Sequence, residues 1–440
     1  MENNTATKLI QITKKAQEEP KFRFTFLKYL LNEAYLGECF HLLKSGKAAG
    51  VDGRTLESYS EAEMEEAIKK TIENMKANHY RPQPVREVRI PKENGKQRSL
   101  GIPTVIDKVV QLGCSRILEA IFEPTFLPVS FGYRPGRNAH DCLKEINHMV
   151  MGKPVNYILE ADIEGFFDHV NHDWLIKCLE VRIGDPRFIN LIVQFLKAGV
   201  MKGYQVKATT QGTPQGGILS PILANIYLHY VLDLWFTKRE QPALTGYSQL
   251  IRYADDFVIG CQHQTEAERI RQDLKERLEH FGLSLSAEKT HLIEFGRFAR
   301  ENRKKRDGGK PQTFDFLGFT HYCGYTRDGR FAMKVRTSRK RFTRAVKSLE
   351  SWLKQVRTYL PIRELWLLLQ MKLRGHYQYY GVSGNFESIK DFYQLSRRLT
   401  LKWLNRRSQK KSWNWEQFST FVQKYQLPQP KLTYAFYNTW

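Results

Sequence analysis

The chain has 440 residues, 41% of them hydrophobic, a net charge of +23 and a pI of about 9.6. That is enough apolar mass for about two or three domains, and the basic excess points to a polyanionic partner. No long apolar stretch reads as a membrane span, Met1-Glu2-Asn3-Asn4 lacks the basic start of a signal peptide, and six scattered cysteines without a CxxC argue against zinc and disulfides and for a reducing cytoplasm.

In chain order, residues 1–45 read as helical, and residues 46–250 mix strands and helices. Lys92 and Arg98 flank Asn94-Gly95, a strong hairpin signal. Taken alone, this is a solvated basic hairpin. Asn156-Tyr157-Ile158-Leu159 reads as a strand running into Asp162-Ile163-Glu164-Gly165-Phe166-Phe167-Asp168. Asp162 then ends a strand or, on the plainer reading, caps a helix through Phe166 and Phe167.

Gln211-Gly212-Thr213-Pro214-Gln215-Gly216-Gly217 follows. Its glycines allow close backbone approach to a nucleic acid or nucleotide. Ser220-Pro221 reads as a helix start, with Ser as N-cap and Pro at the first helical position. Ile222, Leu223, Ile226, Tyr227, Tyr230, Val231 and Leu234 continue at helical spacing and predict core.

Leu250-Ile251-Arg252 and Phe257-Val258-Ile259 bracket Tyr253-Ala254-Asp255-Asp256. Two apolar runs around a carboxylate pair predict a β-hairpin with acids at its tip. Adjacent carboxylates repel, so a cation explains them best. Mg²⁺ prefers carboxylate oxygens, and phosphoryl transfer at two metals needs such a clamp. An Asp-rich turn is the ordinary alternative. Asp162 lies 93 residues before Asp255, so only folding can join them.

Residues 265–281 predict a helix with a Thr265-x-x-Glu268 capping box, an apolar face of Ile270, Leu274, Leu278 and Phe281, and a stop at Gly282. Arg303-Lys304-Lys305-Arg306 before Gly308-Gly309 reads as an exposed, mobile loop, either an RNA contact or merely solvated. Beyond about residue 336 helices are expected, with Trp352, Leu353, Leu365, Trp366, Leu369 and Leu373 as core. Residues 297–440 hold 31 Lys and Arg against 9 Asp and Glu, which is +22 of the +23. Arg397, Arg398, Arg406 and Arg407 lie there among Trp403, Trp413 and Trp415. The cations suit phosphates, and most of the aromatics suit a small helical core.

The order of motifs resembles a group II intron reverse transcriptase, also called an intron maturase. It runs Gly50-Val51-Asp52-Gly53, Ile90-Pro91-Lys92, Arg98 to Pro103, Phe131 to Arg137, Asp162 to Asp168, Thr213 to Gly217, Tyr253 to Asp256, Phe316 to Phe319, and Arg374 to Tyr380. The match covers nearly the whole chain in family order.

The resemblance implies an α+β right-hand polymerase. It has an N-terminal helical extension (1–45), fingers and palm (46–330) and a helical thumb or maturase domain (331–440). It implies Asp162, Asp255 and Asp256 as the catalytic acids. Asp162, Asp255 and the Ile163 carbonyl would hold two Mg²⁺ ions, with Mn²⁺ a substitute. Lys92 and Arg98 would grip the incoming dNTP and Gln215 would line its pocket. Phe167 would exclude a ribose 2′-OH. Lys289 would protonate pyrophosphate, an ordinary surface lysine being the other reading. Phe316, Leu317, Gly318 and Phe319 would position the primer end, with a buried turn as the other reading. Intron RNA, an RNA template with DNA primer, target DNA and dNTPs are the implied partners, without a membrane, in a bacterial cytoplasm.

Many members carry a further DNA-binding region and an HNH nuclease. No His/Cys cluster supplies one here, so a primer is expected from elsewhere. A splicing cofactor that binds without polymerising, and a domesticated enzyme of defence or repair, are the alternatives. Phe167 disfavours an RNA-templated RNA polymerase.

Overall fold

The computed structural model describes residues 5–91, 97–202, 205–207, 211–213, 216–407 and 413–436. Its centre is an antiparallel sheet in the order Ser248–Tyr253, Asp256–Cys261, Tyr157–Asp162, His291–Glu294. These strands are apolar because both faces are covered. Leu159, Leu250, Phe257 and Ile259 join a large core with the helices Ser220–Leu228 and Gln264–His280. Ile158, Ile251 and Val258 pack on the other side with Ile146 and Met149 of the helix Ala139–Gly152. A sheet buried on both faces loses the polar alternation of a half-exposed one.

A second sheet pairs Val85–Pro91 with Gln97–Ile102, Ile90 opposite Arg98. This is the expected basic hairpin, but Lys92, Asn94 and Gly95 lie outside the described residues. The third sheet joins Phe314–Phe316, Phe319–Tyr325 and Phe331–Thr337. The helices Arg339–Val356, Ile362–Tyr380, Phe386–Leu404 and Trp415–Lys424 follow, around a core of Leu353, Leu365, Leu369, Leu373, Ile389 and Phe418. Trp366 is buried there as expected, whereas Trp352 is only partly covered.

The ends are tied to the centre by specific bonds. Arg182, 1% exposed, donates to the carbonyls of Ala16, Glu19 and Phe22. A cation at the carboxyl end of the helix Thr5–Glu18 is electrostatically favoured. At the other end His140 stacks on Tyr434 with ring centroids 3.7 Å apart and donates from Nε2 to the Tyr379 carbonyl at 2.8 Å.

Several local expectations change. The helix after the glycine loop begins at Ser220 itself, with Leu219 at the N-cap and no side-chain cap bond. Downstream it widens into π-type turns at His229–Asp233 and Phe236–Glu240, breaking the regular spacing. The Thr265 capping box does not form. The helix starts at Gln264 after His263, and Glu266 is instead drawn back to the amides of Thr245 and Gly246. Arg303-Lys304-Lys305 closes a short helix, Ala299–Lys305, rather than a loop. Its carboxyl end is capped by the Gly308 and Arg306 amides, both donating to the Arg303 carbonyl, while the Arg303 side chain donates to the Gly308 carbonyl.

His376 tests the helical core by pH. It is stacked on Phe392 at 3.8 Å, and burial lowers its pKa to about 4. The unfolded chain therefore binds a proton that the folded one refuses. Stability from this site is complete above about pH 6.5 and is lost as pH falls towards 4. His376→Leu should lose less stability than wild type between pH 7 and pH 5, read as the shift in urea midpoint. An equal shift in both proteins would remove His376 as a source of acid sensitivity.

Candidate active site

Asp162 and Asp256 face each other at one end of the central sheet, as directly paired residues. Like charges in that position destabilise a sheet unless something neutralises them. Asp255 sits beside them on the two-residue turn Ala254-Asp255. Ala254 has φ +58, a left-handed conformation that costs a residue with a Cβ. The turn is shaped from below by Gly132: a Cβ there would lie 2.4 Å from the Ala254 nitrogen.

The segment after Gly282 is held against Asp162 by two backbone bonds. Ser286 N donates to Asp162 O, and Glu164 N donates to Ser284 O, both at 2.9 Å. They fall on either side of Ile163, which leaves its carbonyl out of that pairing. The same segment brings Lys289 to Asp162, Nζ to Oδ2 2.9 Å. Burial works against the Lys289 charge, but the Asp162 bond and the charges of Asp162, Asp256 and Asp255 hold its pKa above the ordinary value.

The acids are correspondingly strained. Burial raises Asp255; its own backbone N–H lowers it and Asp162 raises it further. Burial, then the charges of Asp255 and Asp162, push Asp256 up to about 7. The Asp256 side chain nonetheless opens on solvent, so water relieves part of that push; its upward direction follows from three carboxyls sharing one corner. Glu160, one outward step back along the strand, rises to about 7 by burial and then by the charges of Asp315, Asp256 and Asp162.

This donor set fits hard divalent cations: carboxylate oxygens in electrostatic excess, with a lysine ammonium already drawn to one of them. Among the described residues no three His, Cys, Asp or Glu side chains are yet gathered as a closed chelate.

Above the acids runs a groove of about 1270 Å³, lined by Asp162, Asp256, Lys289, Phe316, Arg341 and Tyr380 among others. Phe316 and Phe319 are buried; between them Leu317 (φ +49) and Gly318 (φ +83) make a tight turn on its wall. Tyr379 donates its hydroxyl to the Leu317 carbonyl at 2.8 Å, joining that wall to the C-terminal helices.

Phe167 is half-buried, its ring edge-on to Phe166 at 5.2 Å. Its carbonyl accepts from Thr213 N at 2.7 Å. A Cβ on Gly212 would lie 2.8 Å from the carbonyl oxygens of Phe167 and Asp168, and one on Gly216 2.9 Å from that of Gly101. Gly212 and Gly216 thus approach the chain's own backbone, a closeness the sequence suggested for a ligand. Gln215 lies outside the described residues. Arg98 is exposed on its strand, near enough for its charge to lower the Asp255 pKa.

The basic residues are not gathered with the acids. Arg306 pairs with Glu294 at 2.6 Å, at the edge of the central sheet, while Lys304 and Lys305 are exposed. Arg397 lies over Trp415 at 5.0 Å, and Arg407 donates to the Leu360 carbonyl at 3.0 Å, so both brace the helical core. Arg398 and Arg406 are exposed.

Sequence reasoning passed over two features. Tyr133 has φ +57 and is 53% exposed; it lies near the acids, where burial and then the Asp255 charge raise its pKa. Arg252, a lone cation in an apolar strand, is wholly buried against Asp233. A charge in that setting demands a partner, and this was the available signal.

Residues 90–321 match the protein family described as reverse transcriptase (RNA-dependent DNA polymerase). The chain is 33% identical to the group II intron-encoded protein LtrA of Lactococcus lactis subsp. cremoris, across 90% of this chain and 76% of that protein. It is 32% identical to protein YkfC of Escherichia coli, across 63% of this chain and 81% of that one. An uncharacterized 91 kDa protein in the cob intron of Schizosaccharomyces pombe is 37% identical over 51% of this chain and 28% of its own length.

Proposed function

The chain belongs to the group II intron-encoded reverse transcriptases, and on that premise we propose that its groove extends a DNA primer along an RNA template while its basic C-terminal third holds intron RNA. As a family, reverse transcriptases use divalent metal ions, and group II intron relatives imply intron RNA binding. The observation that carries the finer reading is the register of Asp162 against Asp256, both lining the groove, with Asp255 on the adjoining turn.

On this reading Asp162, Asp255 and the Ile163 carbonyl hold two Mg²⁺ ions, for which Mn²⁺ can substitute, and Asp256 completes the acids. Bound there, the ions would supply a more acidic primer hydroxyl and neutralise charge on the departing pyrophosphate. The protein's own part is positioning and electrostatics. Arg98 and Lys92 take the triphosphate, Gln215 lines the nucleotide pocket, and the Phe167 ring stands where a 2′-OH would be. Lys289, protonated at neutral pH, gives its proton to pyrophosphate. The Phe316-Leu317-Gly318-Phe319 turn sets the primer end in line.

The division into extension (1–45), fingers and palm (46–330) and thumb (331–440) follows the same reading. So do target DNA as a partner and a bacterial cytoplasmic setting. Arg303, Lys304, Lys305, Arg306, Arg397, Arg398, Arg406 and Arg407 are assigned to RNA, with Lys304, Lys305, Arg398 and Arg406 the most open to it. Group II intron RNA of the chain's own intron is the preferred ligand, bound to assist splicing and retrohoming.

The test is primer extension by purified protein on an RNA template annealed to a DNA primer, with dNTPs and Mg²⁺. Full-length cDNA is the expected product. No extension from a folded protein that still binds RNA would instead make the chain a splicing cofactor.

A further inference from the structure

We propose that the buried ion pair Arg252–Asp233, keyed through Asn225, is a positioning device that holds the Ala254-Asp255 turn in its metal-binding shape. The inference rests on the reading of Asp255 as a metal ligand.

Arg252 and Asp233 are both fully buried. The guanidinium makes a two-pronged contact, Nε to Asp233 Oδ1 at 2.7 Å and Nη2 to Oδ2 at 2.5 Å. Its remaining nitrogen reaches forward: Nη1 donates to the Ala254 carbonyl at 2.8 Å and to Asn225 Oδ1 at 3.2 Å. Asn225 Nδ2 in turn donates to the Gly132 carbonyl at 2.8 Å. Gly132 is the residue whose missing Cβ lets the Ala254 nitrogen come close. The network therefore grips the turn twice, at the carbonyl of Ala254 and through the Gly132 turn that presses on its nitrogen.

Three considerations separate this from ordinary core structure. Ala254 is not glycine, so its left-handed φ needs outside support, and a left-handed residue persists only where its surroundings fix it. A buried ion pair is seldom more stabilising than apolar residues of the same volume, so stability alone does not account for it. Asp233 is the last residue of a π-type turn, His229–Asp233. A π-bulge inserts one residue and re-aims those beyond it, and such bulges gather at functional sites. Here the re-aimed residue is the partner of Arg252. Arginine suits the task because its planar fork binds a carboxylate with two nitrogens and leaves the third free in a fixed direction.

The test replaces the pair as a unit, Arg252→Met with Asp233→Leu, which removes both charges without stranding either. Mn²⁺ binding is titrated by electron paramagnetic resonance on protein bound to an RNA–DNA duplex with a dideoxy-terminated primer and the next dNTP. Duplex affinity and melting temperature are measured beside it. The expected result is a stable, duplex-binding protein whose Mn²⁺ dissociation constant rises at least about tenfold, with a matching rise in the Mg²⁺ needed for half-maximal extension. Wild-type Mn²⁺ affinity in the stable double variant overturns the proposal.

If the double variant does not fold, Asn225→Ser keeps the ion pair and cuts the link to Gly132. A rise of about threefold supports the proposal, and no rise overturns it. Asp255→Asn in the same titration separates the two readings. Unchanged Mn²⁺ binding there removes Asp255 as a ligand and the premise with it. Weakened binding there with none in the paired variant removes only the positioning role.

Discussion

Asp255→Asn is expected to slow primer extension by at least about 10³-fold, ~4 kcal/mol of barrier, while the protein still folds and binds duplex. Asparagine keeps the shape of the side chain and so keeps the Ala254-Asp255 turn, whose form depends on Gly132 and Arg252 rather than on the Asp255 charge. What it removes is one negative charge from a corner where three carboxyls oppose one ammonium. The loss should fall on kcat more than on the dNTP KM, because Arg98 and the loop around Gly212 lie on other segments. Single-turnover extension at saturating dNTP measures this directly. A variant within about tenfold of wild type would mean that Asp255 is a turn residue and nothing more.

Much of this corner was legible in the sequence because its elements are local. The hairpin at Leu250–Ile259 announces itself by two apolar runs around a polar turn, and Asn156–Leu159 by a run that ends in acid. Both strands form, as Ser248–Tyr253 with Asp256–Cys261 and as Tyr157–Asp162. Their register was not legible, because the ladder that sets Asp162 against Asp256 is a tertiary fact.

Errors came where a neighbouring residue outbid the expected local signal. The helix begins at Gln264, so Thr265 and Glu268 fall inside it, Glu268 accepts from the Gln264 side chain, and the capping box written at Thr265 and Glu268 never closes. The run Arg303 to Lys305 has the charge of a solvated loop, but it closes a helix whose end is capped by the Gly308 and Arg306 amides donating to the Arg303 carbonyl. The glycine loop shows the limit most clearly. Glycine signals close approach without saying to what, and at Gly212 and Gly216 the answer is the chain's own carbonyls.

Phe167→Ala is expected to reduce the preference for dNTP over the matching rNTP by about 100-fold, ~2.7 kcal/mol, with little change in dNTP use. Exclusion of a hydroxyl by a ring is a repulsive device, so deleting the ring helps the wrong substrate and leaves the right one nearly as before. The backbone at this point is fixed from several sides. Gly165 opens the short helix Phe166–His169 at φ +54, the Phe167 carbonyl accepts from Thr213, and Gly212 lies against it. The buried neighbour Phe166 stays in the core with Tyr227. Alanine should therefore open space at the ring without moving the loop that carries it. Single-nucleotide incorporation with paired dNTP and rNTP substrates gives the ratio of kcat/KM values that decides the matter. An unchanged ratio would shift attention to Tyr133, an exposed aromatic ring near Asp255. Tyr133→Ala would then carry the loss of selectivity that Phe167→Ala failed to produce.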